Sequence, residues 1–310
     1  MNIEFGYDTS TQTVTVPEER LLAVLEPGAF PPAAGSEEDL VRAALAAPIG
    51  APPLREVVHA GEKIVLVTSD ISRPMPTWKV MPAVLEELYA AGVQPEDITL
   101  VFARGVHRAH TDAERRHLAG EQAFSEITCI DSDPEDCLCL GTTRRGTPVE
   151  IMRTVAEADR RICLGNIEFH YFAGYSGGAK AIMPGVSTRA AIQANHSYMV
   201  RPDACAGVLE GNPLREDLED ALNCCPVDFI VNAVLDEHKK IVHCVCGDVI
   251  AAHRAGCRLL DRYYRKDIRQ KADIVLVSQG GHPKDLNLYQ TQKALENAKY
   301  AVRDGGIIIL

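Results

Sequence analysis

The chain has 310 residues, 46% hydrophobic and 24% charged, enough for two domains or for one large domain and part of another. A net charge of -11 speaks against nucleic acid as a partner, since phosphate contacts need clustered Lys and Arg. It leaves room for small anionic ligands in a locally basic pocket.

The start, MNIEFGYDTSTQTVTV, lacks the basic beginning and apolar core of a signal peptide, and no apolar run reaches the ~18 residues of a membrane span. A cytoplasmic protein is expected, with no membrane association. The ten cysteines include Cys137-x-Cys139, Cys224-Cys225 and Cys244-x-Cys246, without the paired C-x-x-C spacing of a zinc site. They read as reduced thiols.

Apolar, β-branched runs predict strands over Lys63–Asp70, Ile98–Gly105, Arg161–Glu168, Asp228–Leu235 and Asp273–Gly280. Helical patterns fall at Thr77–Ala91, Val149–Ala158, Ser187–Asn195, Leu214–Asn223 and Asp248–Arg265, with Ser187 and Thr188 as N-cap candidates. Strands alternating with helices predict an α/β fold: a Rossmann-like, parallel-sheet N-terminal domain over residues 1–265 and the beginning of a second α/β domain over 266–310. That second domain is expected to be incomplete, since Gly305-Gly-Ile-Ile-Ile-Leu310 reads as a strand that stops with the chain. Pro27–Gly35 reads as a loop or linker.

Five segments carry polar groups suited to chemistry. Thr68–Trp78 places Asp70 and Arg73 on one proline-stiffened loop at a strand's carboxyl end, where ligands of open α/β sheets sit. An arginine there suits a carboxylate, although an Asp–Arg surface pair explains the pattern equally well. Gly105–Thr111 ends the next strand with His107 and His110, either of them a possible general base. Gly165–Gly185 is the most informative: His170, a glycine-rich loop with Gly174, Gly177 and Gly178 around Ser176, then Lys180. Glycines let backbone N–H groups approach an anion closely. The loop still fails the phosphate-loop pattern, because Ala179 separates Gly178 from Lys180 and Ala181 replaces the magnesium-binding hydroxyl residue. Lys180 is thus a phosphate contact, a covalent anchor or a snorkelling side chain. His196, in Ala194–Ser197, is a single imidazole able to ligate a transition metal. Gln290 and Lys293 lie one helical turn apart in Gly280–Lys293 and share a face, which reads equally as a cleft contact or a solvated surface.

Together these segments resemble the nickel-pincer lactate racemase family. H-x(3)-G-x-S-G-G-x-K-x(3)-P-G runs from His170 to Gly185, and D-x-x-R-P, G-x-H-R, N-H-S and Y-Q-x-x-K accompany it in order. The resemblance implies a 2-hydroxyacid racemase or epimerase with a pyridinium-3-thioamide-5-thiocarboxylic acid mononucleotide cofactor that pincers Ni2+, made by dedicated biosynthesis proteins. It implies that Lys180 is the covalent anchor, His196 the nickel ligand, and His107 and His170 the acid/base pair. Asp70, Arg73, Gln290 and Lys293 would surround substrate and cofactor, and Gly174, Ser176, Gly177 and Gly178 would help seat the cofactor phosphate. Inversion at C2 would proceed by proton-coupled hydride transfer to the pyridinium–nickel centre. The alternatives are a non-catalytic paralogue that binds nickel or the cofactor, and a nucleotide-binding α/β enzyme.

Overall fold

The computed structural model describes residues 1–26, 28, 30, 35–282 and 285–310, with Tyr289 described by its backbone alone. Most of the Pro27–Gly35 loop and two residues of the Gly280–Lys293 segment lie outside the described residues. The chain divides into two compact units, Ala29–Tyr263 and Met1–Gly28 with Tyr264–Leu310. Residues 1–28, assigned from sequence to the N-terminal domain, therefore group with the C-terminal segment.

The smaller unit begins with an antiparallel hairpin of β1 (Asn2–Tyr7) and β2 (Ser10–Thr15). The larger unit then runs α1 (Glu37–Ala46), α2 (Leu54–Val57), β3 (Ile64–Ser69), α3 (Thr77–Ala90) and β4 (Ile98–Ala103). It continues with α4 (Asp112–Ala119), α5 (Glu121–Glu126), β5 (Thr128–Asp131), β6 (Cys137–Thr142), β7 (Pro148–Met152), α6 (Arg153–Ala156) and β8 (Arg160–Ile167). After β9 (Phe169–His170) and β10 (Gly174–Tyr175) come α7 (Arg189–His196), α8 (Pro213–Asp220), β11 (Phe229–Leu235), β12 (Ile241–Gly247) and α9 (Ala251–Tyr264). In the smaller unit, β13 (Ala272–Leu276) and β14 (Val302–Ile309) pair in parallel, joined through α10 (Leu288–Ala298).

The main sheet has the order β12-β11-β8-β3-β4-β5. Five strands are parallel, and β12 returns antiparallel beside β11. The chain lays β3 first, steps outward to β4 and β5, then returns to place β8 on the other side of β3. Strand order therefore reverses between β3 and β8, the place where open α/β sheets form a crevice at their carboxyl ends. The loops that leave β3, β4 and β8 are the Asp70, His107 and His170 segments.

Both faces of these strands are covered, which is why they read as continuous apolar runs rather than alternating ones. Ile64, Leu66, Leu100, Phe102, Ile162 and Leu164 pack with Val80, Val84 and Leu88 of α3 in one core. Val65, Val67, Val101 and Cys163 are buried on the opposite face. There α9 comes so close that a Cβ at Gly256 would stand 2.3 Å from Ile167 Cδ1.

One expectation needs correction. The helix expected over Val149–Ala158 is split: Val149–Met152 belongs to the strand β7, paired with β6, and only Arg153–Ala156 is helical. Val149 and Ile151 are fully buried while Glu150 between them is not, a period of two that a short window disguises as a helical pattern. The sheet is mostly parallel, as expected, with one antiparallel edge strand. A tight turn, with Asp236 N–H donating to Lys240 O at 3.0 Å and Lys239 at φ 63°, sends β12 back along β11. The expected helix over Ser187–Asn195 is α7, and Thr188, not Ser187, caps it by accepting Ala191 N–H at 3.1 Å.

Candidate functional site

The loop after β3 is closed at its base by the Thr68 and Thr77 hydroxyls, 2.6 Å apart and buried. Within it Asp70 accepts Ser72 N–H at 2.7 Å, and its second oxygen lies 3.1 Å from His107 Nδ1. Burial alone would raise the Asp70 carboxyl, but the hydrogen bonds from His107 and Ser72 outweigh it and hold the group below its usual range. An ionised Asp70 accepts from His107 Nδ1–H. That fixes the tautomer and leaves Nε2, the far side of a half-exposed ring, with its lone pair. The turn bearing His107 is itself held, because Arg104 donates to Ser132 O and to His107 O, each at 2.7 Å.

The second histidine of that segment does something else. His110 is buried; its Nδ1 lies 2.6 Å from Asp131 Oδ1, and its Nε2 accepts Ile71 N–H at 3.1 Å. With both ring nitrogens engaged by protein, His110 straps the ends of β5 and β3 together. Of the two histidines read as possible bases, only His107 has a ring nitrogen to offer.

After β8 the chain turns through His170 and Phe172 to Lys180. Ala173 N–H donates to His170 Nδ1 at 3.2 Å, so the neutral ring carries its proton on Nε2, 3.3 Å from Lys180 Nζ. Burial pushes His170 well below the usual histidine range, helped by the charges of Lys180, Arg73, Arg215 and His196. Burial also lowers Lys180 to about 7, with Arg73 and Arg215 adding to the shift and Glu168 opposing it. A lysine so placed accepts from His170 Nε2–H only as the free amine, and its environment favours that form near neutrality. Phe172 lies at the centre: its ring meets His170 edge-on at 4.5 Å and His196 edge-on at 5.0 Å, with Lys180 Nζ 6.0 Å from its centroid. His196 ends α7; burial and the Lys180 charge push it to about 4, the Ile192 carbonyl pulling weakly the other way. Its Nδ1 is buried and makes no hydrogen bond among the described residues.

The glycine-rich loop is packed against protein. A Cβ at Gly174 would stand 2.1 Å from Val208 O, at Gly177 2.7 Å from Asn232 Oδ1, and at Gly178 2.9 Å from His253 Cδ2. Gly178 N–H donates to Asn232 Oδ1 at 2.9 Å, and the Ser176 hydroxyl donates to Asn166 O at 2.7 Å. At these glycines close approach and positive φ leave no room for a side chain.

Sequence reasoning missed the residues that hold this loop. Carbonyls in succession accept from outside it: Phe172 from Asn212 at 2.9 Å, Ala173 from Arg215 at 3.1 Å, Gly174 from Gly207 N–H at 3.1 Å, Tyr175 from Arg215, and Ser176 from His253 at 2.8 Å. Arg215 is fully buried, and burial lowers it to about 10 despite the facing Glu219. The one available signal was Asn212-Pro213, a cap followed by a first-turn proline; Asn212 Oδ1 accepts Leu214 and Arg215 N–H, each at 3.1 Å.

Gly105 ties the histidine segments to one another, donating its N–H to Gly185 O at 3.2 Å and packing against Ile192 of the helix that carries His196. Arg73 is exposed on the intervening β3 loop, and its charge acts on both His170 and Lys180. Gln290 and Lys293 belong to the smaller unit, where Lys293 Nζ donates to Gln290 Oε1 at 2.8 Å on α10.

Known proteins resemble this chain over its whole length. Residues 7–207 match the lactate racemase N-terminal domain, and residues 268–310 match the lactate racemase C-terminal domain. A lactate racemase of Thermoanaerobacterium thermosaccharolyticum is 35% identical over 100% of this chain and 74% of its own length. One from Lactiplantibacillus plantarum is 32% identical over 99% and 74%. The structure of the T. thermosaccharolyticum lactate racemase apoprotein superposes with a TM-score of 0.90 at 34% identity, covering 99% of this chain and 73% of that one. A Thermotoga maritima protein, 19% identical with a TM-score of 0.63 over 77% of this chain and 62% of its own, shares the fold. With both domain models matched in order and full-chain relatives above 30% identity, the chain belongs to the lactate racemase family.

Proposed function

We propose that the protein inverts the C2 configuration of a 2-hydroxyacid, lactate being the first candidate from the names of its relatives, and that it does so with a lysine-anchored nickel-pincer pyridinium nucleotide. The observation that carries this reading is the cluster around Phe172: a lysine favoured as free amine, a neutral histidine against it, and a second imidazole whose buried nitrogen lacks a partner among the described residues.

These residues fit such a group. A free amine is the form that acylation of Lys180 requires. Among the described residues no three His, Cys, Asp or Glu side chains are arranged to hold a metal, so protein donors alone do not make the site. One neutral imidazole from His196, completed by sulfur and carbon donors of a bound ligand, suits nickel. When bound, the pyridinium–nickel group supplies a reversible acceptor for the C2 hydrogen with its electron pair.

The chain's own residues do the remaining work. Arg73, exposed and without a hydrogen bond from its guanidinium among the described residues, holds the substrate carboxylate. His107, oriented by Asp70, takes the hydroxyl proton from one enantiomer at Nε2 and returns it. His170, on the neighbouring loop across β3, is proposed for the other enantiomer as the family resemblance implies, its Nε2 released from the amine once Lys180 is acylated. Two bases are needed because a fixed carboxylate makes the two enantiomers present their hydroxyls in different directions. Gln290 and Lys293 are proposed as further substrate contacts, as the family resemblance implies. Asn232, Arg215 and His253 keep the Lys180 loop from rearranging between half-reactions.

Protein isolated from its native host is expected to carry the nucleotide mass on the peptide containing Lys180, together with bound nickel. Such protein, mixed with one pure enantiomer from a panel of 2-hydroxyacids, should erode its optical purity. A loaded protein that leaves every enantiomer unchanged would sink the reading.

A further inference from the structure

We infer that, before any cofactor is attached, Lys180 is a carbonyl-capturing amine that condenses reversibly with 2-oxoacids, with Arg73 holding the carboxylate and His170 relaying the proton. The choice of a 2-oxoacid rests on the function proposed above, since it is the dehydrogenated form of a 2-hydroxyacid; the amine chemistry does not rest on it.

Three observations converge. Lys180 is half-buried rather than sealed, on the loop that follows β8. Its nearest polar partner is His170 Nε2 at 3.3 Å, close enough to exchange protons with anything bonded to Nζ. Among the described residues no carboxylate is ion-paired with the amine: the Glu168 charge opposes the lowering of Lys180, while burial and the charges of Arg73 and Arg215 produce it. Burial, helped by two arginines, keeps the amine from being stabilised as ammonium, the same device that activates Schiff-base lysines generally.

The step balances without an oxidant or reductant. Nζ attacks C2 of the oxoacid and forms the N–C bond. His170 Nε2–H hands its proton to the former carbonyl oxygen and takes one back from nitrogen. The C–O bond then breaks, and the oxygen leaves as water with the two hydrogens that the amine has lost, leaving an imine. Hydrolysis reverses each step, so the capture occupies the amine without consuming it. Arg73 is the specificity element: a carboxylate beside the carbonyl gains a charge-assisted pair that a neutral ketone lacks.

The test uses the full chain made without the cofactor-synthesising enzymes, incubated with pyruvate or with acetone in the presence of cyanoborohydride, then digested for mass spectrometry. The expected result is a reduced adduct concentrated on the Lys180 peptide, about tenfold or more abundant with pyruvate than with acetone, the ratio one ordinary charge-assisted pair supplies. Arg73→Gln should bring the two ketones to parity, and Lys180→Met should remove the adduct from that peptide. Labelling of Lys180 no greater than that of exposed lysines, or equal labelling by both ketones in the unaltered protein, overturns the inference. Neither result touches the racemase reading, which is judged on cofactor-loaded protein by optical purity.

Discussion

The loop after β8 and the turn after β4 each present a histidine at a strand end, and they hold it in opposite ways. The first is clamped along its backbone. Its carbonyls from Phe172 to Ser176 are received one after another by Asn212, Arg215, Gly207 and His253, and a Cβ on any of its three glycines would collide with protein. The second is held mainly by side chains, with Asp70 on the ring and Arg104 on the turn, and its histidine is half-exposed. A backbone clamp suits groups that must stay fixed while chemistry is done on them, as a covalent anchor must. A ring held at one nitrogen by a carboxylate suits a group that receives and returns protons.

The comparison is broken most severely at Lys180. Lys180→Ala should abolish both cofactor attachment and turnover, leaving a folded protein without nickel, measured by intact mass and metal analysis. On the other side of β3, His107→Asn should lower turnover by about 10²- to 10⁴-fold, the usual contribution of a positioned base, while nickel and the Lys180 adduct remain. Asp70→Asn should lie below it, at about ten- to a thousandfold, because the amide can present N–H to His107 and favour the wrong tautomer. If either variant loses the cofactor as completely as Lys180→Ala does, the two loops are not separable and the contrast fails.

Arg215→Met attacks the clamp itself. It removes a buried charge but leaves the Ala173 and Tyr175 carbonyls without donors and Glu219 short of one partner, so a loss of ~3–5 kcal/mol in urea unfolding is expected. An equally buried strap, His110→Ala, should cost less, about 1–3 kcal/mol, since it leaves one amide and one carboxylate short rather than two carbonyls and a carboxylate.

How legible each half was follows from the same contrast. The His170–Lys180 stretch announces itself because histidine, glycines and lysine are contiguous, and each of its glycines sits where no side chain fits. Four of the five parallel strands of the main sheet, β3, β4, β8 and β11, were legible for a similar reason, being short apolar runs covered on both faces. The clamp was not legible. Arg215 stands in Pro-Leu-Arg-Glu-Asp-Leu, a pattern that reads as a helix with a solvated charged face, and nothing local says that tertiary packing turns the arginine inward. Asn232 lies in the middle of β11 among apolar neighbours, and its partner Gly178 is 54 residues away. His107 and His110 looked alike in sequence. Only Asp131, supplied by a strand too short to stand out, tells them apart.

The charge state of Lys180 offers a gentler probe. Its folded value of about 7 lies below the ordinary 10.5, so between those values the unfolded chain holds a proton that the folded one does not. Stability should therefore rise as pH climbs from about 7 to about 10.5, and the penalty of the buried amine is fully present below 7. Lys180→Met should remove this slope and make the cofactor-free protein more stable at pH 6 than the unaltered one. Urea midpoints at pH 6 and pH 9 read this directly. A slope that persists in Lys180→Met assigns it to another group.

The smallest effect expected is at Ser72, and it is the one that isolates what holds His107. The Ser72 hydroxyl lies 3.4 Å from His107 Nδ1, longer than the 3.1 Å from Asp70 and competing for the same ring proton. One N–H has one best acceptor, and an ionised carboxylate outbids a neutral hydroxyl. The backbone N–H of Ser72, which does bind Asp70, is untouched by Ser72→Ala. Turnover in that variant should fall by about twofold or less, the worth of a long neutral contact. A tenfold loss would mean that the hydroxyl, rather than the carboxylate, sets the ring. Then the side-chain tether on this half of the site would be built from Ser72, and Asp70 would revert to the substrate contact its loop first suggested.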